Sequence, residues 1–407
     1  MTSRAPSIQS SKKRIANKPP SRARTTVLHL CPDLEPGDPA RETVDLAILT
    51  QRAGWRALIA SSGGLLVNDA ERAAVRHIPI ALNRSDMLAR WRNRMRLAAL
   101  IQKERPVLLH AHGLEAATHG LSVARSCHLP LIVDFTRPLP EQRHVRRLLK
   151  RLSRLPCAAR VPSRYMARQL REVFHWPAER LHAIPPGIDL QTYNAGFISP
   201  ERVQALVRLW RLPEQAAVIV MPMPFNAGSG HKLLLEALAR IKHDDVFVVL
   251  VGDNRPMAGW HEEIEALVNG FGLSGKVIMP DYCLDWPAAC WLASVIIAPN
   301  DVARGQANEL LAAQAIGRPV IASNCGANSQ MVQSGETAWL VPPGNVQALA
   351  EALAEAISLG TDQRLDLAQR TRDFVAGAFP QATWFDAMIG LYESMLAPAD
   401  RRKAAAA

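Results

Sequence analysis

Two histidines stand two residues apart in Leu108-Leu109-His110-Ala111-His112-Gly113. On a strand they share one face, a spacing that suits two ligands of one metal ion. No third ligand is evident nearby in the sequence. The plainer reading places them at the end of a strand beside a cleft, where His112 meets a polar ligand. Asp244-Asp245 resembles a metal-binding acidic pair, yet it precedes the strand that starts at Val246, at the end away from a cleft, and reads as a turn. The six cysteines contain no Cys-x-x-Cys pair and no Cys/His cluster, so they read as small buried hydrophobes in a reducing compartment. No metal is expected.

Two basic segments offer a different chemistry. In Arg90-Trp91-Arg92-Asn93-Arg94-Met95-Arg96 a helix places Leu88, Trp91 and Met95 on one face, and Arg143 to Arg154 sets apolar residues among cations. Basic amphipathic helices suit an anionic membrane surface. Equally, such a helix can pack its apolar stripe on a sheet and leave its arginines in water.

The elements that hold these residues alternate. Short apolar or β-branched runs at Thr26–Leu30, Trp55–Ser61, His77–Leu82, Val107–His112, Pro130–Phe135 and Ala158–Ser163 are mostly separated by helical patterns, the signature of a parallel sheet covered on both faces. A second series runs through Ala217–Pro224, Val246–Asp253, Lys276–Pro280, Val295–Asn300, Pro319–Ser323 and Ala338–Val341. The break between the two falls at about 190–215, after Pro185-Pro186-Gly187-Ile188-Asp189. The organisation expected is a basic tail over 1–26, an α/β domain over 27–190, a second over 191–382, a helix over 383–398 returning to the first domain, and a tail over 399–407. Two doubly wound sheets facing across a cleft bind ligands at the carboxyl ends of their strands.

Composition agrees with this division. A chain of 407 residues, 48% hydrophobic, fills two cores. The formal net charge is +11, and residues 1–26 hold a large share of it with no acidic residue, a composition that does not fold alone. That tail is read as a solubilising extension or a contact for an anionic partner. No apolar run reaches the roughly 20 residues that span a bilayer, and no secretory leader is seen, so a cytoplasmic protein, peripheral at the inner membrane at most, is expected. Nucleic acid is disfavoured, because the basic segments lack interleaved stacking aromatics and aromatics total 5%.

From about Thr25 to Leu396 the chain resembles glycosyltransferase family 4, whose fold is the GT-B architecture of two Rossmann-like domains. The resemblance is carried by Gly317-Arg318-Pro319-Val320-Ile321-Ala322-Ser323 with Gly326, by Gly335-Glu336-Thr337-Ala338-Trp339-Leu340-Val341-Pro342-Pro343-Gly344, by Pro185-Pro186-Gly187-Ile188-Asp189, and by Asp285-Trp286-Pro287-Ala288-Ala289. It implies retaining transfer of a hexose from a nucleotide-sugar bound in the second domain to a lipopolysaccharide-like or lipid-linked acceptor, with no metal or other cofactor. Cations and helix N–H groups would then stabilise the leaving diphosphate.

The same resemblance locates departures. The family's Arg and Lys, aligned through Gly230 and Leu235-Glu236-Ala237, fall on Pro224 and Ser229; Lys232 lies three residues beyond. Its two donor glutamates fall on Arg304 and Ala312, with Glu309 one turn before the second and read as a solvated or helix-N-terminal carboxylate. Its first-domain Gly-Gly falls on Gly37 and Asp38, and its His near the reacting sugar on Thr136. Gly230, Arg304, Glu309, Arg318 and Gly326 remain the donor-side candidates, and Gly37 and His112 the cleft candidates. Two functions follow: sugar transfer in envelope glycan assembly, or a degenerate fold that binds a partner glycosyltransferase or an envelope precursor.

Overall fold

The computed structural model describes residues 25–397 apart from 85, 214–215, 242–244, 253–258 and 281, together with the backbone but not the side chain of Asp38. The basic tail up to residue 24, Asp244 and the 399–407 segment lie outside the described residues.

Each half of the chain builds one parallel sheet. The first contains β1 (Thr26–Leu30), β2 (Arg56–Ser61), β3 (Arg76–Pro79), β4 (Leu108–His112), β5 (Leu131–Asp134), β6 (Cys157–Val161) and β7 (Leu181–Ala183) in the order β3-β2-β1-β4-β5-β6-β7. The second contains β8 (Ala217–Pro222), β9 (Val246–Val251), β10 (Val277–Ile278), β11 (Val295–Ala298), β12 (Val320–Ser323) and β13 (Trp339–Val341) in the order β10-β9-β8-β11-β12-β13. In both, the winding reverses between the first and fourth strand of the unit, β1/β4 and β8/β11. The crevice beyond the carboxyl ends of those two pairs is where such sheets take ligands.

Side-chain alternation explains the two faces of the first sheet. Leu28, Leu30, Leu109, Ala111, Leu131 and Val133 pack to one side. Val27, Leu108, Ile132 and Ala158 pack to the other, against Trp384, Met388, Leu391 and Tyr392 of the last helix, Gln381–Leu396. Pro380 precedes that helix and separates it from Thr361–Ala378. The chain thus crosses back after completing the second domain. Gly187 lies at the crossing, where a Cβ would press on Gln381 and Trp384. The expected break at 190–215 is not irregular throughout: it contains the helix Pro200–Leu209, whose Leu206 joins the second core with Trp210 and Leu212. Among the elements that escaped the sequence reading, β7, the helices Val67–Arg72 and Arg164–Arg168, and Trp286–Leu292, which Asp285 caps by accepting from the Ala288 N–H, are short, whereas Pro200–Leu209 lay inside the stretch read as a break.

Candidate functional site

In the second domain, the loop after β8 closes on itself. The Ser229 hydroxyl is buried, donates to the Pro224 carbonyl at 2.6 Å and lies 3.0 Å from Asn226 Oδ1. Gly230 follows with φ 86°, and a Cβ there would collide with the Pro299 carbonyl, so only glycine lets the loops after β8 and β11 meet. The next residue, His231, stacks on Phe225 with rings 4.9 Å apart and 9° from parallel. Among the described residues neither of its buried ring nitrogens has a hydrogen-bond partner, and burial lowers its pKa to about 4. Lys232 stands outside this loop, 3.8 Å from Glu236 on the exposed side of the helix His231–Leu238. It does not replace a cation at Ser229.

Arg304 and Glu309 come together. The guanidinium bonds the Glu309 carboxylate and lies 3.2 Å from Met223 Sδ. Glu309 is therefore no solvated carboxylate: it opens the helix Asn308–Ile316 with its side chain 7% exposed. Ala312, one turn on, is packed into the second core. Gly326, at φ 60°, lies against the backbone of Arg304, and the Ala327 N–H donates to the Arg304 carbonyl at 2.9 Å. Beside them the Gln306 carboxamide is buried, with neither end bonded among the described residues. Arg318 does not belong to this group. It precedes β12 at the amino end, away from the cleft, with its guanidinium 4.0 Å above the Trp291 ring. Burial, with Arg364 nearby, lowers its pKa to about 10.

The domains touch at the same loop. A Cβ on Gly305 would collide with the Thr136 carbonyl, and the Ser163 hydroxyl donates to the Gly305 carbonyl at 2.7 Å. The Arg164 N–H donates to Gln330 Oε1 at 2.8 Å. Thr136 thus meets the other domain through its backbone, where the resemblance expects a histidine facing the sugar.

In the first domain Gly37 precedes the helix Asp38–Arg52, and the loop before it is braced by Gly64, where any Cβ would strike Leu34. The consecutive Gly63 and Gly64 after β2 were the sequence signal for this brace. His112 does not face the cleft as expected. It is 3% exposed, with Nδ1 3.3 Å from Asp134 Oδ2 and Nε2 3.1 Å from His29 Nδ1. His110 Nε2 lies 3.1 Å from Asp134 Oδ1, and its Nδ1 meets the Tyr392 hydroxyl at 2.8 Å. Arg160 lies 3.7 Å from Asp134 and bonds Glu42 and the Ile184 carbonyl. Burial opposes the Asp134 charge, but His110 and Arg160 outweigh it and hold its pKa well below the usual range. Burial and the His110 ring lower His112 to about 4 against the pull of Asp134.

The two basic helices part company. In Arg143–Leu152 the apolar stripe Val145, Leu149 and Leu152 is buried, so this is a packed helix with solvated cations. In Met87–Glu104 the core contacts are Asn93, Leu97, Leu100 and Ile101. Its second stripe, Leu88, Trp91 and Met95, faces outward at 56%, 62% and 56% exposure among exposed arginines. Among the described residues no helix is long and apolar enough to cross a membrane.

Two parallel Rossmann-like sheets joined by a returning C-terminal helix define a GT-B protein. Residues 40–192 match the family model for glycosyltransferase family 4 and residues 215–358 that for glycosyl transferases group 1. The first half of the chain therefore carries a glycosyltransferase family 4 domain and the second half a glycosyl transferases group 1 domain. It is 26% identical over 247 residues to D-inositol 3-phosphate glycosyltransferase 1 of Catenulispora acidiphila, covering 56% of this chain and 55% of that protein. It is 27% identical over 210 residues to the GDP-mannose-dependent alpha-(1-6)-phosphatidylinositol monomannoside mannosyltransferase of Mycobacterium tuberculosis, covering 49% and 52%. The chain spans about half the length of these curated relatives. Its fold superposes on Anabaena HepE in complex with UDP and glucose with a TM-score of 0.80 at 18% identity, covering 91% of this chain and 100% of that one.

Proposed function

We propose that this chain works in cell-envelope glycan assembly, on the cytoplasmic side of the inner membrane, as a family 4 fold that has given up nucleotide-sugar transfer and binds a partner glycosyltransferase or a lipid-linked precursor. The observation that carries this reading is the Arg304–Glu309 pair: the cation left among the donor positions is matched to a carboxylate of the same loop. Ser229 likewise spends its hydroxyl on the loop's own carbonyl, and no charge stands at Pro224. A lipid-linked precursor is favoured by the outward Leu88, Trp91 and Met95 stripe with its arginines, which suits an anionic bilayer surface. The mannosyltransferase relative is named for a phosphatidylinositol-linked acceptor.

A second reading, transfer from a nucleotide-sugar, is favoured by one feature: the Gln306 carboxamide beside Arg304, without a hydrogen-bond partner among the described residues, suits a polar ligand. Calorimetry with UDP, GDP and ADP separates the two. Two missing charge-assisted contacts of about 1.5–3 kcal/mol each weaken a diphosphate complex by roughly two to four powers of ten, so millimolar or undetectable binding is expected. Micromolar binding of any of the three would restore the transferase reading. Adding the charges back in Pro224→Arg/Ser229→Lys is expected to improve affinity if the loop still has the shape of a donor site.

A further inference from the structure

The sequence offered two imidazoles on β4 and no third. The sheet supplies it. β1 pairs with β4 in the register His29↔His110, so the side chain of His29 emerges on the face that carries His110 and His112. We propose that His29, His110 and His112 form a buried site for one divalent transition-metal ion of the zinc class, at the switch point of the first sheet.

Three observations carry it. One ring nitrogen from each histidine lies within 4.8 Å of the other two. His29 Nδ1 and His112 Nε2 are 3.1 Å apart, close to the spacing of two nitrogens bound at about 2.0–2.1 Å to one tetrahedral ion. Asp134 faces the remaining nitrogen of His112 and Nε2 of His110, the outer carboxylate that fixes a ligand's tautomer and turns its lone pair inward. Three neutral imidazoles select zinc, copper, nickel or cobalt over magnesium or calcium, which prefer oxygen. At the third ligand, His110 Nδ1, the Tyr392 hydroxyl gives way to the ion.

The histidines are 0%, 0% and 3% exposed, so the ion enters as the domain folds. The site would lock β1 to β4 beneath the last helix. The test uses the full chain, without an affinity tag, unfolded and refolded with zinc or cobalt, desalted and analysed for metal. The expected result is one ion per chain, a cobalt form with the intense visible absorption of a tetrahedral centre, and a thermal midpoint raised by zinc. His29→Gln and His112→Gln should bring metal content to background, whereas Tyr392→Phe should keep one ion, because it removes a competitor and not a ligand. If the Gln variants do not fold, X-ray absorption on the wild-type zinc form decides, and must count three imidazole ligands. A folded wild-type chain that retains no stoichiometric metal, an absorption edge without three imidazoles, or full metal content in folded His29→Gln would overturn the site in favour of a cluster linked by protons alone.

Discussion

His231 links the loop after β8 to acid stability. It is buried, stacked on Phe225 and, among the described residues, without a hydrogen-bond partner, so protonating it in the folded state costs free energy. Its pKa falls from an ordinary 6.5 to about 4 through burial. Because the unfolded chain binds the proton first, the folded state loses stability as pH drops through 6.5 and levels off below about 4. A shift of that size amounts to about 3.4 kcal/mol at the acid limit, at 1.36 kcal/mol per unit, and about 2.5 kcal/mol is already lost by about pH 4.5. His231→Leu removes the titration and keeps most of the volume. Near neutral pH the two proteins should differ by roughly 1 kcal/mol or less, since freedom from an unsatisfied buried group offsets the lost stacking. Urea unfolding of both at about pH 7 and about pH 4.5 isolates the effect, because other titrating groups cancel in the comparison. The advantage of His231→Leu should grow by about 2.5 kcal/mol on acidification. Parallel pH profiles would refute the argument and show that the ring finds a partner in solution.

Binding to anionic vesicles should be measurable at low salt and fall steeply as screening shortens the Debye length to about 8 Å. Trp91→Ser with Leu88→Ser should abolish what salt leaves, and equal binding to neutral vesicles would count against the outward stripe. Gly305→Val places methyl groups against the Thr136 carbonyl and should part the domains at the cleft, read as a larger radius of gyration in solution scattering. An unchanged radius would mean that the Gly305–Thr136 contact does not hold the cleft closed.

What the sequence made legible was what repeats at short range. Continuous apolar runs marked the buried strands of both sheets, and the resemblance picked out Arg304 and Ala312, which lie on the loop and helix after β11. The partnership of Arg304 with Glu309 was missed because it depends on how the loop turns before the helix, which spacing does not encode. Arg318 was assigned by its place in a motif, but a residue that enters a strand sits at the opposite end from one that leaves it. The His29 contribution needed strand register across 83 residues of sequence. A clue to that cluster was nevertheless present: Asp134 and Arg160 are charges inside otherwise apolar strands of a sheet covered on both faces, and such charges are rarely buried unless they meet one another. The basic helices show the limit of composition, since Arg143–Leu152 and Met87–Glu104 read alike and only packing separates them.

The helix Gln381–Leu396 gives the first domain a dependence on the order of synthesis. Its Trp384, Met388, Leu391 and Tyr392 cover one face of a sheet whose last strand ends at Ala183. On the ribosome, that face waits while nearly two hundred further residues are translated, and at about 5–20 residues per second the delay lasts on the order of ten seconds or more. During it, Val27, Leu108 and Ile132 lack their cover and His110 lacks the Tyr392 hydroxyl. The second domain, whose core needs nothing after Phe379, is complete before the first. The half that is made first is therefore finished last, and a chaperone that shields nascent apolar surface has its clearest target there.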